Sequence, residues 1–328
     1  MLLFALDATR VFGARIADDL GLALAPHEER TFEDAEHKIR PLVDPSGEDC
    51  AVVQSLHGEP GISGDDKLMR LLMFLAALRD HGARRTIAVA PYLAYARKDR
   101  RTQPFDPVSS RVVAQLFEAV RCDAVLTLEP HNLAAFDNAF RIRAVGLSPN
   151  ALYTAAALKP DAGEPLAVAS PDIGGVKRAQ LWREALEKTA GRPIGQAFVD
   201  KRRAAGVVSG GDVVTGDVAG ATVLIVDDLI ATFGTIDRAA KALLKAGARR
   251  VLAFAAHGLF VPPAADVLER TAVERVFVTD TVPLFRLDER PAHGRVAVLP
   301  CASLFAQAMR REFGLPPGRA DRASGAPE

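Results

Sequence analysis

Short apolar runs alternate with segments of helical spacing along most of the chain. Ala51 to Gln54, Thr86 to Ala90, Ala124 to Leu128, Leu166 to Ala169, Val223 to Val226, Val251 to Ala255 and Arg275 to Val278 read as buried strands. Each is a nearly continuous apolar stretch of the length expected for a strand covered on both faces. Met1 to Leu6 reads as a first strand, because Asp7 and Arg10 interrupt it before a signal-peptide core or a membrane span is complete. Between the runs, Leu68, Leu71, Leu72 and Leu75 fall on one face of a helix, and so do Val112, Val113, Leu116, Phe117 and Val120. The second of these helices is predicted to start with Asp106 as N-cap and Pro107 in its first position. The alternation predicts an α/β fold with parallel sheets.

The stretch Gly82 to Ala90 (GARRTIAVA) is echoed by Gly247 to Ala255 (GARRVLAFA), each following a helix and opening a strand. Two related α/β halves would produce this, as would αβ-loop chemistry in which glycine ends the helix. A boundary is expected near residues 147 to 163, where Pro149, Asn150, Asp161 and Gly163 interrupt the pattern. The expected domains are 1–148 and 149–295, with the segment from about Val296 to Phe313 returning to the first half and 314–328 a loose tail rich in Pro, Gly, Ala and charge.

Composition narrows the picture. The 328 residues are too many for one small core, and 49% hydrophobic with 25% charged residues is ordinary for a soluble globular protein. With 41 basic and 41 acidic residues nothing pulls the whole molecule toward nucleic acid or an anionic membrane, so any basic site must be local. Cys50, Cys122 and Cys301 show no metal-ligand spacing and suit buried positions in a reducing, cytoplasmic setting.

Candidate chemistry lies just after the predicted strands, where α/β proteins collect their sites. The run Val223 to Thr235 (VLIVDDLIATFGT) takes an apolar strand into Asp227 and Asp228 and then into a turn that opens a helix. Backbone N–H groups and the Thr232 and Thr235 hydroxyls at a helix N-terminus favour an anion such as a 5-phosphate. Ionised Asp227 and Asp228 could accept hydrogen bonds from vicinal sugar hydroxyls, or could simply end a strand before a capped helix. Tyr92 to Arg101 joins aromatic rings to four cations, suiting a nucleotide or a solvated basic loop. Glu129-Pro130-His131 offers a carboxylate and an imidazole to a divalent metal, and Ser170 to Arg178 offers Asp172 beside Gly174 and Gly175. Lys201-Arg202-Arg203 could close over a polyphosphate, while Phe32 to Glu36 is ambiguous alone.

Taken in order, these stretches resemble the ribose-phosphate pyrophosphokinases, or phosphoribosyl diphosphate synthetases, along nearly the whole chain. Phe32 to Glu36 is similar to the family's Phe-Pro-Asp-Gly-Glu segment, Tyr95 to Arg100 to its Tyr-Ala-Arg-Gln-Asp-Arg, and Ser170 to Gly175 to its Ser-Pro-Asp-X-Gly-Gly. The resemblance implies two doubly wound domains of phosphoribosyltransferase-like type and diphosphoryl transfer from MgATP to ribose 5-phosphate, giving phosphoribosyl diphosphate and AMP. It further implies Lys201 and Arg203 in catalysis and Glu129, His131 and Asp172 on magnesium. Phe32, Asp34, Glu36, Arg97, Lys98 and Asp99 would serve ATP. Asp227 and Asp228 would take the ribose hydroxyls, and Ala231, Thr232, Phe233, Gly234 and Thr235 would line the 5-phosphate loop. Homo-oligomers are the rule in that family.

The chain also departs from the family pattern. Ala231 stands where the loop usually has a third Asp, Phe233 where it has Gly, Ala35 where it has Gly, Lys98 where it has Gln, and Glu129-Pro130 where it has Asp-Leu. Phe233 would be costly if the turn needs positive φ. These changes leave open a variant acting on another pentose phosphate, a catalytically silent regulatory homologue, or a phosphoribosyltransferase.

Overall fold

The computed structural model describes residues 1–159, 163–200, 203–204, 207–208 and 213–316. It divides into two compact units, Met1–Leu147 together with the chain from Cys301, and Ser148–Pro300.

The strands of the first unit are β1 (Leu2–Ala5), β2 (His27–Thr31), β3 (His37–Pro41), β4 (Asp49–Val53), β5 (Arg85–Val89), β6 (Ala124–Leu128) and β7 (Arg143–Leu147). Five of them form an all-parallel sheet in the order β1-β4-β5-β6-β7, while β2 and β3 pair as a separate antiparallel hairpin. Parallel neighbours need crossovers, supplied here by α1 (Arg10–Leu20), α2 (Gly64–Asp80), α3 (Ser109–Ala119) and α4 (Leu133–Ala139). Helix α2 opens at a capping box in which Ser63 Oγ accepts from the Asp66 N–H and the Asp66 carboxylate accepts from the Ser63 N–H. Its expected apolar face, Leu68, Leu71, Leu72 and Leu75, is buried.

The start of α3 is a correction. It begins at Ser109, because the Asp106 carboxylate accepts from the Thr102 and Gln103 N–H groups and from Lys98, closing the 98–106 loop instead of capping a helix. Val113 and Phe117 are buried as expected, whereas Val112 and Leu116 are exposed, so the apolar face is narrower than its spacing suggests.

A second correction concerns the end of the chain. Only the helix Ala302–Phe313 joins the first unit, where Phe305 meets Phe12 edge-on at 5.6 Å. The strand before it stays with the second unit, because its backbone pairs along a strand there.

That second unit contains β8 (Leu166–Ser170), β9 (Gly195–Asp200), the short ribbon β10 (Arg203–Ala204) and β11 (Val207–Val208), β12 (Val213–Thr215), β13 (Thr222–Ile230), β14 (Arg250–Gly258), β15 (Arg275–Thr279) and β16 (Val296–Leu299). Seven strands form one sheet in the order β12-β9-β8-β13-β14-β15-β16, parallel except for β12. Its helices are α5 (Asn150–Leu158), α6 (Val176–Ala190), α7 (Gly234–Lys245) and α8 (Ala264–Arg270). Trp182 of α6 is fully buried against Tyr153 and Phe254, and its indole N–H donates to Thr154 Oγ1 at 3.2 Å.

Strand β13 runs further than the sequence suggests. It continues through Asp227 and Asp228 to Ile230, because β14 is equally long and supplies ladder partners as far as Gly258. No described helix is long and apolar enough to cross a membrane. The three cysteines are buried and free, and burial pushes the Cys50 thiol up to about 11 and Cys122 up to about 12.

Candidate functional site

Each sheet gathers its candidate residues at one edge. In the second unit β8, β9 and β13 run parallel, so the chain leaves Ser170, Asp200 and Ile230 at the same carboxyl edge. The stretch bearing Asp172 and the Ala231 to Thr235 turn therefore both begin there. Lys201 lies outside the described residues, and Arg203 enters only through the main chain of β10.

The turn after β13 is built to receive an anion. No side chain caps α7, and its first helical hydrogen bond runs from the Asp237 N–H to Phe233 O at 3.0 Å. The N–H groups of the first turn thus converge at the positive end of the helix dipole. Phe233 adopts φ +65°, the left-handed conformation that a glycine would take without strain. That costs ~1–2 kcal/mol for a residue with a Cβ. The ring is 1% exposed in the core beneath the turn, and burial of a phenylalanine contributes ~1.5–3 kcal/mol, which offsets the strain. Ala35, also in a position where the family carries glycine, has φ +70°.

Asp227 and Asp228 lie beside this turn. Arg178 Nη1 is 3.6 Å from a carboxylate oxygen of each. Burial first, and then the neighbouring Asp228 charge, raise the Asp227 carboxyl well above its ordinary range, with Arg178 opposing them. Arg178 closes the Ser170 to Arg178 stretch, but spacing alone gave it no role; the pair it faces becomes evident only when β8 and β13 are set side by side. Asp172 Oδ1 caps the short turn Ile173–Gly175 by accepting the Gly175 N–H at 3.2 Å, and its side chain is partly exposed. Glycine is required at 175, where a Cβ would stand 2.5 Å from Ser170 Oγ.

In the first unit the β5 and β6 exits are joined by Asn132, whose amide donates to Asp99 at 2.8 Å. Arg97 and Glu129-Pro130-His131 belong to these two exits, with Arg97 and His131 exposed. Lys98 turns inward to Asp106 and Thr102 Oγ1, and this contact holds the Asp106 carboxyl far below its usual range. Phe32, Asp34 and Glu36 sit apart from that edge, on the tip of the β2–β3 hairpin, where Asp34 accepts the Glu36 N–H at 3.1 Å. The hairpin is a device the sequence analysis missed: His27, Glu29 and Arg70 anchor it, and its only warning was the glycine-like turn at Ala35.

Among the described residues, the one group of three side chains whose ligand atoms could meet a single ion is Asp7, His27 and Glu29. Glu29 already takes the Asp7 N–H, the His27 ring and Arg70, so these contacts form a hydrogen-bonded anchor.

Two α/β units, one with an uncapped helix start beside paired carboxylates and the other with a cationic strand exit, have the chemistry to receive phosphorylated ligands. The N-terminal domain of ribose phosphate pyrophosphokinase matches residues 1–120, and the phosphoribosyl synthetase-associated domain matches residues 210–314. The ribose-phosphate pyrophosphokinase of Haemophilus influenzae is 37% identical over 317 residues, covering 94% of this chain and 95% of that protein. That of Vibrio parahaemolyticus is 35% identical over 312 residues, with 95% of each chain covered. The crystal structure of phosphoribosylpyrophosphate synthetase from Mycobacterium smegmatis superposes with a TM-score of 0.85 at 30% identity, over 96% of this chain and 99% of that one. The chain belongs to the ribose-phosphate pyrophosphokinase family.

Proposed function

We propose that this enzyme transfers the diphosphoryl group of ATP to the anomeric hydroxyl of ribose 5-phosphate. The hydroxyl oxygen bonds to the β-phosphorus, the bond from that phosphorus to the oxygen bridging it to the α-phosphate breaks, and AMP leaves with the bridging oxygen. The hydroxyl proton is released. The observation that carries this reading is the uncapped start of α7 beside the Asp227–Asp228 pair, which together suit a 5-phosphate and two ribose hydroxyls. The family model that covers residues 1–120 favours a diphosphokinase over a phosphoribosyltransferase, which has no use for an ATP-side domain.

In this reading the first-turn N–H groups, with Thr232, Gly234 and Thr235, hold the 5-phosphate, and Ala231 and Phe233 shape the loop's main chain around it. Asp227 and Asp228 accept the ribose hydroxyls. Phe32, Asp34, Glu36, Arg97, Lys98 and Asp99 serve the nucleotide, and Lys201 and Arg203 neutralise charge on the transferring group. Asp172 and Glu129 bring carboxylate oxygens to strand ends, where both are partly exposed. At either strand end a carboxylate suits magnesium, which binds through one or two carboxylates together with substrate phosphates, and His131 would add an imidazole in the first unit. Bound there, magnesium supplies charge neutralisation of the triphosphate. The chain works in the cytoplasm as a homo-oligomer, which sedimentation of the pure protein tests.

The deciding experiment is AMP release from ATP and ribose 5-phosphate, with phosphorus NMR of the product. Wild type is expected to turn over, and Lys201→Ala to lose about 10²–10³-fold in kcat. Background rates across a panel of pentose phosphates would overturn the activity; a faster rate with another pentose phosphate would reassign the sugar.

A further inference from the structure

Beyond the carboxyl end of β4 lies a buried polar line. Lys67 of α2 is fully buried, and Ser55 and His57 are each 2% exposed. Lys67 Nζ stands 3.0 Å from Glu59 Oε1 and 3.3 Å from His57 Nε2, and His57 Nδ1 stands 3.2 Å from Ser55 Oγ. An ammonium group has donors only, so with Lys67 charged His57 Nε2 accepts from it and Nδ1–H is left to donate to Ser55 Oγ, while the Glu59 carboxylate also lies 3.5 Å from Nε2. The same hydroxyl oxygen accepts the Tyr92 N–H at 3.2 Å, and the Leu56 N–H donates to Tyr92 O at 2.9 Å. A line of hydrogen bonds therefore runs from a buried lysine, paired with the partly exposed Glu59, to the first residues of the loop that carries Arg97 and Lys98.

Helix α2 grips that loop a second time. The Tyr95 hydroxyl donates to Asp65, two positions before Lys67, and Tyr95 itself holds φ +61°. A left-handed tyrosine persists only where its surroundings over-determine it. The serine, histidine and acid lie in hydrolase-like order, but burial of Ser55 and His57 keeps substrates from them, so a nucleophilic role is excluded. A fully buried lysine is costly and is often replaceable by an apolar side chain without loss of stability. What an apolar replacement could not reproduce is the fixed tautomer of His57 and the hydrogen bond it directs at the loop.

We propose that Lys67, acting through His57 and Ser55, is a positioning residue that sets the Tyr92–Lys98 loop for the nucleotide. This rests on the assignment of Arg97 and Lys98 to ATP. The test is titration calorimetry with ATP alone, on wild type and on the double variant Lys67→Met/Glu59→Gln, which removes both charges and leaves neither buried alone. The double variant is expected to melt near wild type, to bind ATP about tenfold more weakly (~1.4 kcal/mol), and to keep the wild-type KM for ribose 5-phosphate. Nitrogen-15 shifts should also show His57 losing its Nδ1–H form. Ser55→Ala, which removes the hydroxyl shared by His57 and Tyr92, should weaken ATP in the same direction and serves if the double variant does not fold. ATP affinity equal to wild type in the folded variants, or equal rises in KM for both substrates, would overturn the proposal. Wild type that binds ATP but releases no AMP would instead sink the proposed reaction and leave this inference standing.

Discussion

Asp227 shows how a single residue trades stability for binding. Burial and the adjacent Asp228 raise its carboxyl well above 3.8 in the folded state. A group with a raised native value favours folding fully below its unfolded pKa, and that contribution is lost as pH rises through the native value. Ionising Asp227 beside Asp228 therefore carries a free-energy cost, partly relieved by Arg178 at 3.6 Å. Asp227→Asn removes the charge and keeps the shape. It is expected to raise Tm at pH 7.5 by about 2–4 °C, the effect of ~1 kcal/mol in a domain of this size, with the gain shrinking toward pH 4. The KM for ribose 5-phosphate should rise at the same time, because an amide cannot replace an ionised acceptor. Calorimetric scans across pH check this, and an equal fall in Tm at both ends would contradict it.

At the scale of elements, the β2–β3 hairpin carries the sharpest lesson. Its strands, His-Glu-Glu-Arg-Thr and His-Lys-Ile-Arg-Pro, have no apolar face to betray them; they pair through the ladder and through Glu28 with Lys38 and Arg40. Burial opposes ionisation of Glu29, but His27, the Asp7 N–H and Arg70 outweigh it and lower its carboxyl. This contribution to stability is present above about pH 4.5, the ordinary glutamate value, and is lost as pH falls through the lowered one. Arg70→Ala should speed amide exchange across His27 to Pro41 and raise the KM for ATP while leaving that for ribose 5-phosphate alone. Unchanged exchange would show that Arg70 does not anchor the hairpin. The parallel strands were legible because burial on both faces writes a continuous apolar run, as in Ala124–Leu128. The start of α3 was not, because Asp106 could serve either as a cap or as a loop clasp, and only the position of Lys98 decides between them.

For the whole molecule, the echoed stretches do the same job twice. Ala83 and Ala248 donate to Leu78 and Leu243, while Gly82 and Gly247 donate to Arg79 and Leu244, so both units use one helix-to-strand turn. What distinguishes the units is the chemistry at the strand exits, and one probe can separate them. Trp182 is the single tryptophan of the chain and is fully buried in the second unit, so its fluorescence reports that unit's unfolding. A ligand that binds only the folded state stabilises by RT ln(1 + [L]/Kd), about 2.7 kcal/mol at a hundredfold excess over Kd. Because the residues assigned to the sugar phosphate are all in this unit, ribose 5-phosphate alone should raise the denaturant midpoint of the Trp182 signal as its concentration grows. Inorganic phosphate should do so more weakly, since it engages the start of α7 without reaching the carboxylate pair. Asp228→Asn should abolish the difference between the two ligands, because what ribose adds beyond its phosphate is the hydroxyl pair that these carboxylates receive. A midpoint indifferent to ribose 5-phosphate would remove the second unit as its binding place.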